Sequence, residues 1–174
     1  SDVDAGDTIT YAATTLPSWL AFNAGTGVLS GTATNSEVGA HSVVLTATDA
    51  SGAVDTQSFT ITVSNVNDAP TVANAITDQT VTEDSALSFQ FASNAFAEVD
   101  VGDSLTYTAT LADGSALPSW LTFTGATRTF SGTPLNGDVG TIAVKVIATD
   151  SGSAAINDTF NMTVNNTNDA PTNL

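Results

Sequence analysis

The chain has 174 residues, 18 of them acidic and 2 basic, for a formal charge of −16 near neutral pH. That balance excludes a nucleic-acid binder, which needs a basic face, and offers no attraction to an anionic membrane surface. The absence of cysteine rules out disulfides and thiolate metal sites.

The chain opens on an acidic loop holding Asp2, Asp4 and Asp7, and runs through Tyr11 to Leu16-Pro17-Ser18-Trp19-Leu20. Asn23-Ala24-Gly25-Thr26-Gly27 is a turn signal. Val43, Leu45 and Ala47 then alternate with polar residues, as do Phe59, Ile61 and Val63. This predicts half-buried antiparallel strands joined through Ser51-Gly52. Between Pro70 and Phe96 three extended pieces are predicted: Thr71-Val72-Ala73, Gln79-Thr80-Val81-Thr82 and Ala86-Leu87-Ser88-Phe89-Gln90-Phe91.

From there the chain repeats itself. Leu117-Pro118-Ser119-Trp120-Leu121 follows its first copy by 101 residues, and Asp169 follows Asp68 by the same interval. Tyr107 follows Tyr11 by five residues less, the difference being absorbed around Leu111 to Ser115. Ala143 to Thr149 and Phe160, Met162 and Val164 restate the two alternating strands. A unit of that size is a whole domain rather than a solenoid repeat. No helical period is sustained. The reading is all-β: two tandem antiparallel β-sandwiches, residues 1–68 and 69–169, with 170–174 opening a further copy. The chain reads as an interior segment. Its first sandwich lacks the strands that the second has before Phe96, which predicts an open sheet edge and a bare interior.

The carboxylates gather in loops. Asp2, Asp4 and Asp7 are mirrored by Glu98, Asp100 and Asp103, and Asp49 and Asp150 each close an Ala-Thr-Asp strand end. Asn65, Asn67 and Asp68 are mirrored by Asn165, Asn168 and Asp169, and Glu83 with Asp84 follows an early strand. Two carboxylates about 4 Å apart repel by roughly 4 kcal/mol at an effective dielectric of about 20. Calcium would relieve this, since it takes about six to eight oxygens from carboxylates, amide carbonyls and backbone. General solvation in a salty medium is the competing reading of the charge. Asp113, Asp138 and Asp158 read as ordinary turn residues.

Asp2-x-Asp4-x-Gly6-Asp7-x-Ile9-x-Tyr11, Thr26-Gly27-x-Leu29, Leu45-x-Ala47-x-Asp49 and Asn65-x-Asn67-Asp68-Ala69-Pro70 together resemble the phrases of cadherin repeats. Leu-Pro-x-Trp-Leu and Ser-Gly-Thr make the chain similar to the bacterial dystroglycan-type cadherin-like repeats of large surface adhesins and polysaccharide-degrading proteins. The resemblance implies Greek-key sandwiches of cadherin or immunoglobulin type, with calcium at the domain junctions. It places Asn67, Asp68, Glu98, Asp100, Asp103 and Asp150 at the inner junction, and Asp2, Asp4, Asp7, Asp49, Glu83 and Asp169 at the outer ends. The linker is one residue short of the cadherin form, and the late Asp-x-Glu phrase is absent. Fewer ions per junction than in animal cadherins are therefore expected.

Trp19 and Trp120 suit either a core position or, in a rival reading, a carbohydrate-stacking platform. His41 has no second imidazole to work with and reads as a strand residue. Asn157, Asn161 and Asn165 head glycosylation-like triplets of the kind an Asn- and Thr-rich sequence produces by chance. No nucleophile–base set or phosphate-cradling loop is present, so no enzyme is expected. The expected function is a calcium-rigidified repeat of a bacterial extracellular adhesin or surface filament. Its expected partners are neighbouring repeats, with a homo-oligomer or filament formed by strand addition or exchange. The rival is a carbohydrate-binding module. Neither nucleic-acid binding nor membrane insertion is expected.

Overall fold

The computed structural model describes residues 7–170 and divides the chain into two compact units, Ser1–Val66 and Asn67–Leu174. In unit 1, β1 (Thr10–Thr15), β2 (Leu20–Asn23), β3 (Val28–Gly31), β4 (Gly39–Thr48) and β5 (Val54–Val63) follow in order. β1, β4 and β5 form one antiparallel sheet, and β2 with β3 forms a separate hairpin. Asn23 makes that hairpin by accepting the Gly25 and Thr26 N–H groups on its side-chain oxygen, at 3.0 and 3.2 Å.

Unit 2 continues with β6 (Thr71–Val72), β7 (Gln79–Thr82), β8 (Leu87–Gln90), β9 (Phe96–Ala97), β10 (Thr106–Leu111), β11 (Leu121–Thr124), β12 (Thr129–Gly132), β13 (Gly140–Thr149) and β14 (Ala155–Asn165). One sheet has the order β10-β13-β14-β7, the facing sheet β11-β12-β8, and β6 pairs with β9. The predicted alternation decides what lies between the sheets. Val144, Val146, Phe160 and Met162 point inward from β13 and β14 and meet Leu121 and Phe130 from the other sheet, all at or below 4 % exposure. Phe130 packs against Phe123 at 4.5 Å and against Phe160 at 5.7 Å between ring centroids. Burying side chains of this size contributes about 1.5–3 kcal/mol each.

Three details differ from the sequence reading. β7 runs parallel to β14, with Met162 opposite Gln79, so the sandwich is not purely antiparallel. β9 was not predicted: two residues are too few to show a period. Asp158 sits inside β14 rather than in a turn, and its carboxylate accepts the Ile76 N–H at 2.6 Å. Asp113 does cap a turn as read, taking the Ser115 N–H and hydroxyl where the five extra residues fall. The Ser-Gly-Thr phrase also gains a reason. A Cβ on Gly31 or Gly132 would collide with the backbone carbonyl of Trp19 or Trp120, so only glycine lets the strand pass that close.

The two units bury their repeated strands unequally. Leu45, Ala47, Phe59, Ile61 and Val63 stay half-buried, although their counterparts Val146, Ala148, Phe160, Met162 and Val164 are buried. Val43 is the one buried hydrophobic residue of unit 1 among the described residues.

Candidate functional site

The site lies at the end of unit 2 where its chain begins. Three segments converge: the linker residues Asn67 and Asp68, the loop after β9 and the tight turn between β13 and β14. That turn closes because Asp150 accepts the Ala154 N–H on Oδ1 at 2.8 Å, while its own N–H donates to the Ala154 carbonyl. Its second oxygen, Oδ2, accepts the Asn67 side-chain amide at 3.0 Å. A Cβ on Gly152 would meet the Asn67 side chain, so with glycine there the amide of Asn67 lies directly against the turn.

The loop is folded by its own acids. Glu98 Oε1 accepts the Val99 and Asp100 N–H groups at 2.7 and 3.0 Å. Asp103 Oδ1 accepts the Ser104 N–H, the Ser151 N–H and the Ser151 hydroxyl, which binds the loop to the turn. These donors, the Ser151 hydroxyl first, hold the Asp103 carboxyl below the ordinary aspartate range. Asp100, 5 % exposed, accepts the Asp68 N–H at 2.8 Å.

Glu98, Asp103 and Asp150 each present a carboxylate oxygen within 4.8 Å of the others. Glu98 Oε2 is buried and has no hydrogen-bond partner. Of the two basic residues, Lys145 donates to the Ala112 carbonyl and Arg128 sits in the turn between β11 and β12, so neither belongs to this group. An oxygen-only set with a buried, unanswered carboxylate oxygen fits a hard divalent cation. Asn67 stands beside Asp150 with an amide oxygen of its own. Asp68 and Asp100 bind each other through backbone and carboxylate and are not part of the three-carboxylate group.

At the equivalent place in unit 1, Asp7 accepts the Thr8 and Ala50 N–H groups, and Asp49 accepts the Ser51 hydroxyl and the Ala53 N–H. The backbone donors match those at Asp103 and Asp150, but the serine hydroxyl goes to Asp49 here and to Asp103 in unit 2. Asp2 and Asp4 lie outside the described residues. At the far end of unit 2, Glu83 is 1 % exposed and accepts the Thr167 N–H on Oε1, with Oε2 buried and unpartnered. Asp169 instead accepts the Asn136 amide at 2.8 Å. Among the described residues these two join no group of three acids. Asn136 as a partner of Asp169 escaped the sequence reading because nothing in a loop asparagine marks a contact 33 residues away.

Trp120 packs half-buried against the unit 2 core, and Trp19 meets His41 edge-on at 5.8 Å with its indole N–H buried. His41 lies in β4, and its Nε2 pairs with the Glu37 carbonyl.

Fold and site together define an immunoglobulin-like β-sandwich pair carrying an acidic loop cluster. Residues 1–64 and 69–165 match the family described as "Putative Ig domain", and the chain belongs to that family. It is also 34 % identical over 154 residues to the "Serine-rich adhesin for platelets" of Staphylococcus aureus strains USA300 and MRSA252. The match takes in 88 % of this chain but only 6 % and 10 % of those relatives. Among solved structures it is similar to human mucin-like protocadherin EC1-2, with a TM-score of 0.65, 16 % identity and coverage of 95 % of this chain and 87 % of that one. Mouse cadherin-23 EC22-24 gives 0.64 at 19 % identity, covering 91 % and 53 %. At such identity the likeness is one of fold. Among the described residues no helix is long and apolar enough to cross a membrane.

Proposed function

We propose that the chain is a calcium-binding structural repeat of a bacterial extracellular adhesin or surface filament, with the ion stiffening the junction at Asn67 and Asp68. The observation that carries the reading is the meeting of Glu98, Asp103 and Asp150 within 4.8 Å, beside a buried Glu98 oxygen that has no donor. These three, with the Asn67 carbonyl oxygen, would hold the ion; Asp68 and Asp100 would fix the linker against the loop. The role is mechanical rather than catalytic. The dystroglycan-type assignment is supported by Leu-Pro-Ser-Trp-Leu and Ser-Gly-Thr, and the cell-surface location by likeness to an adhesin. Neighbouring repeats of the same chain are its partners. For a homo-oligomer or filament by strand addition or exchange, the support is that, among the described residues, β5 pairs only with β4 and β3 only with β2.

Calcium titration of the 174-residue chain with thermal melts and small-angle scattering tests this. An ion that binds only the folded state adds about 2.7 kcal/mol at a concentration near 100 times its Kd. A rise in Tm and a narrower spread of interdomain distances are expected. Glu98→Gln keeps the loop's hydrogen-bond acceptor yet removes the charge, and should weaken the response at least tenfold. Asp113→Ala should leave it intact. A Tm and radius of gyration indifferent to chelator would overturn the calcium reading.

A further inference from the structure

Between β12 and β13 the chain makes a single 3-10 turn, Asn136–Asp138. The Asp138 N–H donates to the Leu135 carbonyl at 2.8 Å, and the Asp138 carboxylate accepts the Leu135 N–H. The peptide joining Asn136 to Gly137 is held far less firmly. Its carbonyl accepts the Val139 N–H at 3.5 Å, the outer limit of a hydrogen bond, and among the described residues the Gly137 N–H has no acceptor. Both residues are exposed, and a Cβ at Gly137 would meet nothing within 4 Å. The Asn136 side chain does have a task. Its amide donates to Asp169 at 2.8 Å and ties the turn to the segment that follows β14.

These are conditions in which an asparagine side chain reacts with its own backbone. Closure needs the Gly137 nitrogen to reach the Asn136 Cγ, and the rotation that brings it there breaks only the long Val139 bond. A side chain at 137 would crowd the approach, and glycine has none. Asn136-Gly137 is the one Asn-Gly pair in the sequence. The matching turn of unit 1 reads Asn35-Ser36-Glu37, and there the Ser36 hydroxyl donates to the Glu37 carboxylate at 2.8 Å and pairs with the Thr34 hydroxyl at 3.0 Å. That turn is both hindered and pinned.

We propose that Asn136 is a site of spontaneous succinimide formation, and that the reaction turns its tie to Asp169 into a repulsion. The Gly137 nitrogen gives its proton to water and attacks Cγ. A bond forms between that nitrogen and Cγ, the Cγ–Nδ2 bond breaks, and Nδ2 leaves as ammonia with a proton taken from water. A second water then opens the ring. Attack at Cγ restores the main chain with an aspartate at position 136. Attack at the main-chain carbonyl carbon of the same residue leaves the chain running through the side-chain carbonyl, as isoaspartate. Either product exchanges a neutral amide donor for a carboxylate. Asp169 then faces a like charge where it had a donor. The segment after β14 keeps its hold on Glu83 through the Thr167 N–H but loses this one, so it loosens as the chain ages. The proposal does not rest on the calcium reading.

The test incubates the folded chain at mildly alkaline pH in chelator and follows each asparagine by peptide mapping and mass spectrometry, with enzymatic methylation of isoaspartate to identify the product. Asn136 should convert at least tenfold faster than Asn35 and yield both acids. Gly137→Ala should slow it at least tenfold, and Ser36→Gly should speed conversion of Asn35. Equal rates at Asn136 and Asn35, or conversion of Asn136 only in the urea-unfolded chain, would overturn the proposal. Amide exchange at Thr167 reads the tie. It should quicken at least threefold in the aged chain and in Asn136→Asp, while aged Gly137→Ala keeps the rate of the fresh chain. Conversion that leaves exchange at Thr167 unchanged would overturn the loosening.

Discussion

Asp103 in unit 2 and Asp49 in unit 1 each take a serine hydroxyl and a backbone N–H. The Ser151 hydroxyl, then the Ser104 N–H, lowers the first carboxyl, and the Ser51 hydroxyl, then the Ala53 N–H, lowers the second. Their folded pKa values therefore lie below the unfolded ones. The stability they add is complete above the unfolded carboxylate range and is lost as pH falls through the lower folded values. Acid also discharges the surplus negative charge of the chain, which acts in the opposite sense. A variant comparison cancels that common contribution. Between pH of about 5 and about 2, Ser151→Ala should flatten the acid dependence of unit 2, and Ser51→Ala that of unit 1. Melts in chelator check this; slopes identical to the parent chain would place the sensitivity elsewhere.

At the scale of elements, β7 is a four-residue parallel strand with little of its own to hold it. Its attachment rests on β14 and on the chain ahead of it, where Asp158 takes the Ile76 N–H and Asp78 takes the Asn161 N–H. Ile76 is 8 % exposed, so removing its acceptor strands a buried amide. Asp158→Ala should cost unit 2 about 1–3 kcal/mol. In denaturant titration the unit 2 midpoint should fall while unit 1 stays where it was. Gln57→Ala, at the equivalent place in unit 1, should change little. Equal effects of the two substitutions would show that Asp158 is not a fastening for the segment.

For the molecule, the inequality between the units sets the order of unfolding. Among the described residues, 14 hydrophobic residues are buried and Val43 alone belongs to unit 1. Full burial is worth about 1.5–3 kcal/mol per large side chain, so unit 2 has far more to lose. Calorimetry should resolve two transitions, unit 1 melting first. Each unit holds one tryptophan, so fluorescence of the Trp120→Phe chain follows Trp19, and that of the Trp19→Phe chain follows Trp120. A single coincident transition for both reporters would contradict the order.

How much of this was legible beforehand follows from the range of the interactions. Alternation told which residues of β4, β5, β13 and β14 share a face, because a strand's period of two is a local property. The duplicated phrases revealed two copies, and the lopsided acids marked the loops where a cation would be sought. Glu98, Asp103 and Asp150 stood among the acids named at the junction, but only the fold separates them from Asp100, whose carboxylate is taken by the Asp68 N–H. The parallel seating of β7, the pairing of Asp169 with Asn136 and the clamp of Asp158 on Ile76 were equally out of reach. Composition and local pattern therefore determined the fold class, the repeat and the charge. Tertiary structure decided which acid meets which partner, because such contacts join residues far apart in the chain and depend on packing that no short window of sequence contains.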